Sequence, residues 1–223
     1  EGSFLLDKSF IVNDDRWAGH YLLVTGYDDA TQRFTVQDSE RGPDRSVPYE
    51  TLRRDWQSFN YVYVMLFPYD KLETVKSILG SDWDLDTNRQ NALTLAQQEA
   101  LADPEDAYAW FNQGTNLSYF QRYSEAVPVY DTARRLGLPL RMLRYQFGPF
   151  MAYFHTNRTE DLIALTDYAL KITPNSEEAL LWRGWGLYRL NRREEAVESF
   201  NKALEARPNY GDALYALNFV ASN

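Results

Sequence analysis

The stretch 107-AYAWFNQGTNLSYFQRYSEAVPVYDTARRLGLP-139 decides the fold of this chain. Its apolar and small residues recur at offsets of three, four and seven, which are the offsets of one face of a helix. The first such face carries Trp110, Gly114 and Leu117, and the second carries Ala126, Tyr130 and Ala133. The small residues stand where two helix axes approach closely. The stretch therefore predicts a hairpin of two amphipathic helices that ends at a proline.

The pattern returns along the sequence with a period close to 35 residues. A full copy lies 69 to 70 residues further on, at Gly184, Leu187, Ala196, Phe200, Ala203 and Pro208. A weaker copy lies between them, at Tyr153, Leu162, Ala169 and Pro174, and a half-copy precedes them, at Ala92 and Pro104. Self-similarity at this period is typical of stacked helical hairpins. In the weaker copy Phe150 replaces the small glycine and Leu162 the small alanine, which predicts a less regular middle stack.

This pattern resembles the tetratricopeptide repeat family from about Asp70 to the C-terminus. The resemblance implies an all-α array of helical hairpins over residues 69–223, with repeats near 70–104, 107–139, 143–174 and 177–208. The first repeat is atypical and is expected to seal the array and contact the preceding part, with Thr87 or Asn88 capping its second helix. Residues 209–221 are expected to form a C-terminal capping helix that Asn209 starts.

Composition limits the classes of partner. The protein has 223 residues, 23 Lys and Arg against 32 Asp and Glu, a net charge of −9 and no cysteine. Both parts of the sequence are acidic, so nucleic acid and anionic lipid are not expected as partners. No apolar run approaches the ~20 residues that cross a bilayer, so no membrane insertion is expected. The lack of cysteine excludes disulfides and thiolate metal sites and does not decide the compartment.

Residues 1–68 show a different pattern of apolar and polar residues, without the helical period of the repeats. Tyr21–Thr25 is typical of a buried strand, and Arg33–Gln37 alternates as the returning strand of a hairpin. The run Gly42-Pro43-Asp44 interrupts the pattern, and Pro48 then opens a short helix. Tyr61–Phe67 reads as a further strand, closed by a proline. The sequence therefore predicts an α+β piece with an antiparallel sheet over residues 1–68.

The same region carries a second resemblance. Three features occur in order: the run GHYLLVTGYDD at 19–29, a returning strand that ends VQDS at 36–39, and a helix that starts at a proline and precedes an aromatic strand. Together they resemble the C-terminal half of the C39-like, papain-type cysteine peptidases. The resemblance implies His20 as general base and Asp38 as the carboxylate that orients it. A carboxylate on one imidazole nitrogen leaves the other nitrogen to take a thiol proton.

The nucleophile of that family is missing from this sequence. No cysteine precedes His20, and neither Ser3 nor Ser9 lies in a strained nucleophile elbow. We therefore expect the protein to be inactive as a peptidase. Two interpretations stay open: a fragment whose cysteine-bearing half is absent, which the start at Glu1 inside the sheet region favours, or a peptidase-like fold that serves as a non-catalytic binding scaffold. A helical array with an unrelated extension, in which residues 1–68 form no sheet, is a third.

The array resemblance also implies a binding groove lined by the first helix of each hairpin. The residues at groove positions are Tyr108, Phe111, Thr115, Tyr119, Phe147, Met151, Phe154, His155, Leu181, Trp185 and Tyr188. They are mostly aromatic or apolar, with Arg144 and Arg189 nearby, and lack the lysines and asparagines that grip a terminal carboxylate. A protein or peptide partner with an apolar helix or extended segment fits such a groove, and the protein's own N-terminal part is one such partner. The alternative is that these aromatic residues are core between repeats.

No cofactor and no metal are expected. His155 follows an aromatic residue and reads as a surface or capping histidine. The pairs Glu177-Glu178 and Glu194-Glu195 diverge around a helix, and they read as residues of a helix start or a solvent-facing side.

Overall fold

The computed structural model describes residues 19–222, and in its N-terminal part the polypeptide forms a small antiparallel sheet. The strands are β1 (Leu23–Asp28), β2 (Arg33–Asp38) and β3 (Gly42–Pro48), in the order β1-β2-β3. Asp28 Oδ1 accepts hydrogen bonds from the N–H groups of Ala30 (2.9 Å) and Thr31 (3.3 Å), which fixes the turn between β1 and β2. The interpretation without a sheet in residues 1–68 is therefore wrong.

Three strand predictions in this part need correction. Tyr21–Thr25 was expected to be a buried strand, but β1 begins at Leu23 and is largely exposed, because no layer of the described protein covers this side of the sheet. Residues 42–44 do not interrupt the sheet but begin β3, whose Arg45 and Val47 pair with Val36 and Phe34 of β2. The strand is largely exposed, so it lacks the alternation of apolar and polar residues that marks a half-buried strand. The apolar run 61–67 is not a strand in the described part of the protein, because no neighbouring segment pairs with it.

A short helix and an atypical hairpin follow the sheet. Helix α1 (Tyr49–Gln57) begins after Pro48 as predicted, α2 covers Leu72–Leu79 and α3 covers Leu85–Ala102. The residue that caps α3 is Asp84, and not Thr87 or Asn88. Its Oδ1 accepts hydrogen bonds from the N–H (2.8 Å) and hydroxyl (2.7 Å) of Thr87. A helix cap needs a side-chain acceptor one residue before the helix, and Asp84 supplies it. Thr87 is therefore the donor in this cap and not the capping residue.

The remaining helices stack as hairpins. They are α4 (Ala107–Tyr119), α5 (Tyr123–Leu136), α6 (Gly148–His155), α7 (Thr159–Ile172), α8 (Glu177–Arg189), α9 (Arg193–Ala206) and α10 (Gly211–Ser222). The first helices of successive hairpins, α4, α6 and α8, contact each other in a row that α10 continues. We call the surface along this row the first-helix face. The prediction that Asn209 starts the last helix is wrong. The first backbone hydrogen bond of α10 runs from the N–H of Leu214 to the C=O of Tyr210, at 3.1 Å.

In the hairpins α4–α5 and α8–α9, one buried aromatic ring packs against one glycine. Tyr130 of α5 is fully buried against Gly114 of α4, and Phe200 of α9 is fully buried against Gly184 of α8. The middle hairpin lacks this pair: Phe150 stands at the glycine position and Leu162 at the position of Ala126, and both are fully buried. Its first helix, α6, has 8 residues where α4 and α8 have 13, so the middle repeat is shortened as well as altered in sequence.

Candidate functional site

The C-terminal half of the first-helix face carries a cluster of aromatic side chains. Trp185 lies at its centre, with ring centroids 6.4 Å from Phe154, 6.2 Å from Tyr188 and 5.6 Å from Phe219. Tyr215 lies 6.2 Å from Phe219 and is 64% exposed, while Phe219 is 38% exposed. We call these five residues the aromatic cluster. It joins α6, α8 and α10 and leaves part of its ring surface in contact with solvent.

The sequence of α8 explains how Trp185 reaches this position. The residues on either side of it are glycines, and a Cβ on Gly186 would lie 2.8 Å from Cδ1 of Ile163 in α7. Glycine on both sides lets α8 pack closely on α7 and α9. The indole of Trp185 lies among Phe154 of α6, Phe219 of α10 and Phe200 of α9, the last at a centroid distance of 5.3 Å. The cluster is therefore fixed by the same close helix packing that builds the repeat.

A guanidinium group borders the aromatic cluster. Arg189 stacks on the ring of Phe154, with its Cζ 3.5 Å from the ring centroid, and donates hydrogen bonds to the C=O of Phe154 and to Asn157 Oδ1. Among residues 19–222 no carboxylate forms an ion pair with this group, although five other arginines of the array have one. Partial desolvation lowers the pKa of Arg189 from its ordinary value. The cation is thus held in place and is not neutralised by the described residues.

His155 belongs to the same part of the face. Its ring is stacked on Tyr123, with centroids 4.3 Å apart and an interplanar angle of 10°, and meets Phe154 edge to face. Partial burial and the positive charge of Arg189 lower the pKa of His155 from its ordinary value of 6.5. The neutral imidazole therefore acts as one more aromatic ring beside the cluster.

Apart from His155, the predicted groove residues divide into four groups. Phe154, Trp185 and Tyr188 come together in the aromatic cluster, while Phe147, Met151 and Thr115 are half-buried further along the face. Tyr119 is exposed at the other end of the face, where its hydroxyl donates to Asp86 at 2.8 Å. The remaining groove residues, Tyr108, Phe111 and Leu181, are 3%, 1% and 4% exposed and belong to the core. The prediction that these three residues line a groove is therefore corrected: they are core residues, as the alternative interpretation proposed.

Sequence reasoning missed two members of the cluster. Tyr215 and Phe219 lie on α10, which the sequence predicts only as a capping helix, yet α10 continues the row of first helices. Their spacing of four residues places both on one face of α10. The signal is present in the run 214–220, LYALNFV, in which two aromatic residues stand beside the predicted core positions.

The N-terminal half of the face carries polar side chains instead. Asn112 and Asn116 of α4 are fully buried, and Gln146 is half-buried just before α6. We call these three residues the amide cluster. Asn112 Nδ2 donates to the C=O of Gln57 at 2.7 Å, and Gln146 Nε2 donates to the C=O of Ser58 at 2.7 Å. The amide cluster thus binds the end of α1 and the residue that follows it. This contact was not predicted from the sequence, because polar residues on a helix do not show what covers them.

His20 and Asp38 come together at one end of the sheet. His20 Nε2 lies 3.0 Å from Asp38 Oδ1, and the two side chains are 30% and 9% exposed. Desolvation opposes ionisation of Asp38, but hydrogen bonds from the N–H groups of Glu40 and Arg41 and from His20 outweigh it, so the pKa of Asp38 is lowered from 3.8. The carboxylate is therefore ionised beside the imidazole. This is the geometry that the peptidase resemblance predicts, while a catalytic role stays a prediction.

Other candidate groups have structural partners. Glu177 pairs with Arg144, and Glu178 Oε1 accepts from the Tyr210 hydroxyl at 2.6 Å. Glu195 forms two hydrogen bonds with Arg192. Ser3 and Ser9 lie outside the described residues. Within residues 19–222 there is no group of three His, Asp or Glu side chains placed to hold a metal ion, and no helix there is long and apolar enough to span a bilayer.

Comparisons with known proteins agree with the helical part of this fold. The tetratricopeptide repeat model matches residues 177–210, which form α8, α9 and the residues after them. A crystal structure of MamA superimposes on 71% of this protein and 85% of MamA, with a TM-score of 0.54 and 13% sequence identity. MamA 41-end from Desulfovibrio magneticus RS-1 is 18% identical, with a TM-score of 0.54 over 69% and 82%. At these identities the likeness shows the fold alone.

Two curated proteins are similar in sequence. Protein O-mannosyl-transferase TMTC3 of Mus musculus is 26% identical over 188 residues, which are 77% of this sequence and 20% of that protein. The peroxisomal targeting signal receptor of Kluyveromyces lactis is 30% identical over 110 residues, which are 48% of this sequence and 17% of the receptor. The sequence thus spans about a fifth of the length of these relatives.

The fold and these similarities define a class of protein. The molecule is an all-helical, tetratricopeptide-like array with a small three-stranded antiparallel sheet at its N-terminal end. An array of this class is a protein-interaction module. None of the similar proteins named above is described as a peptidase, so the peptidase resemblance of residues 1–68 has no support from them.

Proposed function

We propose that this protein is a non-catalytic binding scaffold whose aromatic cluster takes an apolar segment of a partner protein. The observation that carries the proposal is the set of rings around Trp185, which three helices contribute and which solvent reaches. Aromatic anchors supply most of the binding energy at such surfaces. A helix or an extended strand of the partner can place apolar side chains at the spacing that this row of helices offers.

Arg189 adds a charge requirement to the partner. Its guanidinium is held beside Phe154 and has no carboxylate partner within residues 19–222. A charge-assisted hydrogen bond to a carboxylate is stronger than a neutral one, and a pre-positioned guanidinium loses less freedom when it forms. The favoured ligand is therefore a segment with one or two large apolar side chains and an acidic group next to them.

The test is selection of peptide ligands followed by measurement with matched variants. Peptides selected from a random library against the whole protein are measured by calorimetry with wild type, Tyr215→Ala and Tyr188→Ala. A loss of affinity of ~30-fold is expected for each variant, as for an aromatic hot spot. Tyr168→Ala is the control, because Tyr168 is exposed on α7 and outside the cluster. Ligands whose affinity is the same for all four proteins would show that the cluster does not bind them.

An alternative to the non-catalytic scaffold concerns residues 1–68 and rests on the His20–Asp38 contact of 3.0 Å. We propose that this pair is the base and the orienting acid of a C39-like cysteine peptidase whose cysteine is supplied from outside the 223 residues. Where the gene encodes residues upstream of Glu1, the test uses the protein with those residues. Its cysteine should react with iodoacetamide at neutral pH, and the reaction should slow in His20→Ala but not in His155→Ala. A gene product that contains no cysteine upstream of Glu1 contradicts this proposal and leaves the scaffold proposal unchanged.

A further inference from the structure

The amide cluster at the N-terminal half of the first-helix face points to a second binding site. We propose that Asn112, Asn116 and Gln146 form a site for the carboxyl end of a helix, that Gln57–Asn60 occupies it in cis, and that a separate segment of the same chemistry binds there when the cis segment leaves. The site lies apart from the aromatic cluster, so this proposal does not depend on the one above.

The first step of the argument is the kind of group that the cluster binds. Asn112 and Gln146 donate to the backbone carbonyl groups of Gln57 and Ser58, across 55 and 88 residues of sequence. These two carbonyls are the last of α1 and the first after it, at the end of a helix, where backbone acceptors outnumber backbone donors. The C=O of Gln57 also accepts from the N–H of Asn60 at 2.8 Å, whereas Asn112 and Gln146 add donors from outside the segment. The cluster therefore supplies donors to a helix carboxyl end, a feature that any peptide helix presents.

Two further contacts select particular side chains. Asn60 and Asn116 form a reciprocal pair of amide hydrogen bonds, of 2.8 and 3.2 Å, and both side chains are buried. Gln57 Nε2 donates to Glu99 Oε2 at 3.1 Å and to Asp106 Oδ2 at 2.6 Å. The carboxylates of Glu99 and Asp106 favour a hydrogen-bond donor at the position of Gln57 and repel an acidic side chain there. The chemistry of the ligand is thus a helix that ends in Gln, followed three residues later by Asn.

The next step concerns whether the bound segment can leave. Tyr61 has φ of 54°, next to Asn60 at 52°, and a bulky residue such as tyrosine adopts this conformation rarely, so the bound state carries backbone strain at Tyr61. Beyond these residues, the N–H and C=O groups of residues 63–67 make no hydrogen bond within the described part of the protein. Withdrawal of the segment breaks the bond from the Tyr61 hydroxyl to Glu99 Oε1 (2.5 Å) and removes Phe59 from its packing against the core, and it releases the strained backbone at Tyr61.

The test uses the whole protein and a labelled peptide with the sequence of residues 49–62, YETLRRDWQSFNYV. The cis-weakened variant Gln57→Ala/Asn60→Ala removes side chains of the bound segment and leaves the amide cluster intact. We expect the peptide to bind this variant at least ~10-fold more tightly than wild type, the effect of lost buried hydrogen bonds on the competing segment. Adding Asn116→Leu to the variant should abolish binding.

Two controls separate a binding site from structural packing. The same peptide with Ala at both selected positions should bind the variant at least ~10-fold more weakly, since it lacks the same hydrogen bonds. Equal affinity of the peptide for wild type and variant, or equal affinity of the two peptides, would overturn the proposal. Circular dichroism and thermal melting establish that the variant is folded.

A measurement on the unaltered protein covers the case in which the variant does not fold. We expect the amide hydrogens of residues 58–62 to exchange faster than those of α4 in wild type, through opening of the cis segment alone. Excess unlabelled peptide should accelerate their exchange further, because it competes for the site. Exchange of residues 58–62 at the rate of global unfolding, unaffected by the peptide, would equally overturn the proposal.

Discussion

A Cβ atom on Gly114 would lie 2.6 Å from Cε1 of Tyr130, closer than such atoms approach in proteins. The same relationship recurs seventy residues later, where a Cβ on Gly184 would lie 2.6 Å from Cδ1 of Phe200. Both aromatic rings are fully buried. In these two hairpins the glycine is thus the residue that lets the second helix insert its ring under the first.

Replacing either glycine by alanine should therefore destabilise the array. Alanine favours a helix over glycine by about 1 kcal/mol, but forcing a methyl group into a packed core costs about 1–3 kcal/mol, and these contacts are at the severe end. We expect Gly114→Ala and Gly184→Ala to lower the free energy of unfolding by at least about 1 kcal/mol, measured by urea denaturation. Gly211→Ala is the control, because a Cβ there meets nothing within 4 Å. A variant as stable as wild type would contradict the close packing.

The start of α3 gives a second prediction. Asp84 Oδ1 accepts two hydrogen bonds from Thr87, and these bonds lower the pKa of Asp84. Asp84→Ala should lower the urea midpoint clearly, because the helix loses the acceptor that caps it. Asn88→Ala should have little effect, since the Asn88 amide is not the acceptor at the start of this helix. Equal losses for the two variants in urea denaturation would favour the cap position that the sequence alone predicts.

The helical hairpins were predictable because their packing leaves a periodic record in the sequence. Gly114, Tyr130 and their equivalents at 184 and 200 must be small and large in fixed register, so the repeat is visible without a structure. The strands left no such record. Residues 42–48 are exposed and paired only through their backbone, and the apolar run 61–67 looks like a strand but finds no partner within the described residues. Pairing depends on a neighbour, which composition does not reveal.

The candidate sites were predictable only in part for a related reason. Family positions located Phe154, Trp185 and Tyr188 on the first-helix face, but Tyr108 and Phe111 at equivalent positions are in the core. Asn112 and Asn116 were not predicted as site residues, because nothing in their own helix shows that a segment 55 residues upstream covers them. Burial by a distant part of the protein is a tertiary property, and a repeat pattern read along one helix does not contain it.

The reciprocal amide pair of Asn60 and Asn116 gives a third prediction, on stability. Asn116→Ala leaves the Asn60 amide buried without its partner, which costs about 1–3 kcal/mol. Asn60→Ala should cost a similar amount for the same reason. In the double variant the losses should not add, with a coupling energy of about 0.5–3 kcal/mol in urea denaturation. Additive losses would show that the two amides contribute independently. The pair Thr94 and Tyr168, on α3 and α7, is the control for additivity between separated sites.

The last prediction concerns pH and follows from His155. Partial burial against Tyr123 and the charge of Arg189 hold its pKa below 6.5 in the folded protein, while the unfolded protein keeps the ordinary value. The unfolded state therefore binds more protons between these two values, so the contribution of the neutral ring is complete above pH 6.5 and is lost as the pH falls below it. We expect a lower urea midpoint at pH 5.5 than at pH 7.5, and a smaller difference in His155→Phe, which keeps the stacked ring and cannot titrate. In NMR titration the His155 ring should titrate below 6.5, and Arg189→Gln should move its midpoint upward. An unchanged midpoint in Arg189→Gln would mean that the arginine charge does not act on this ring.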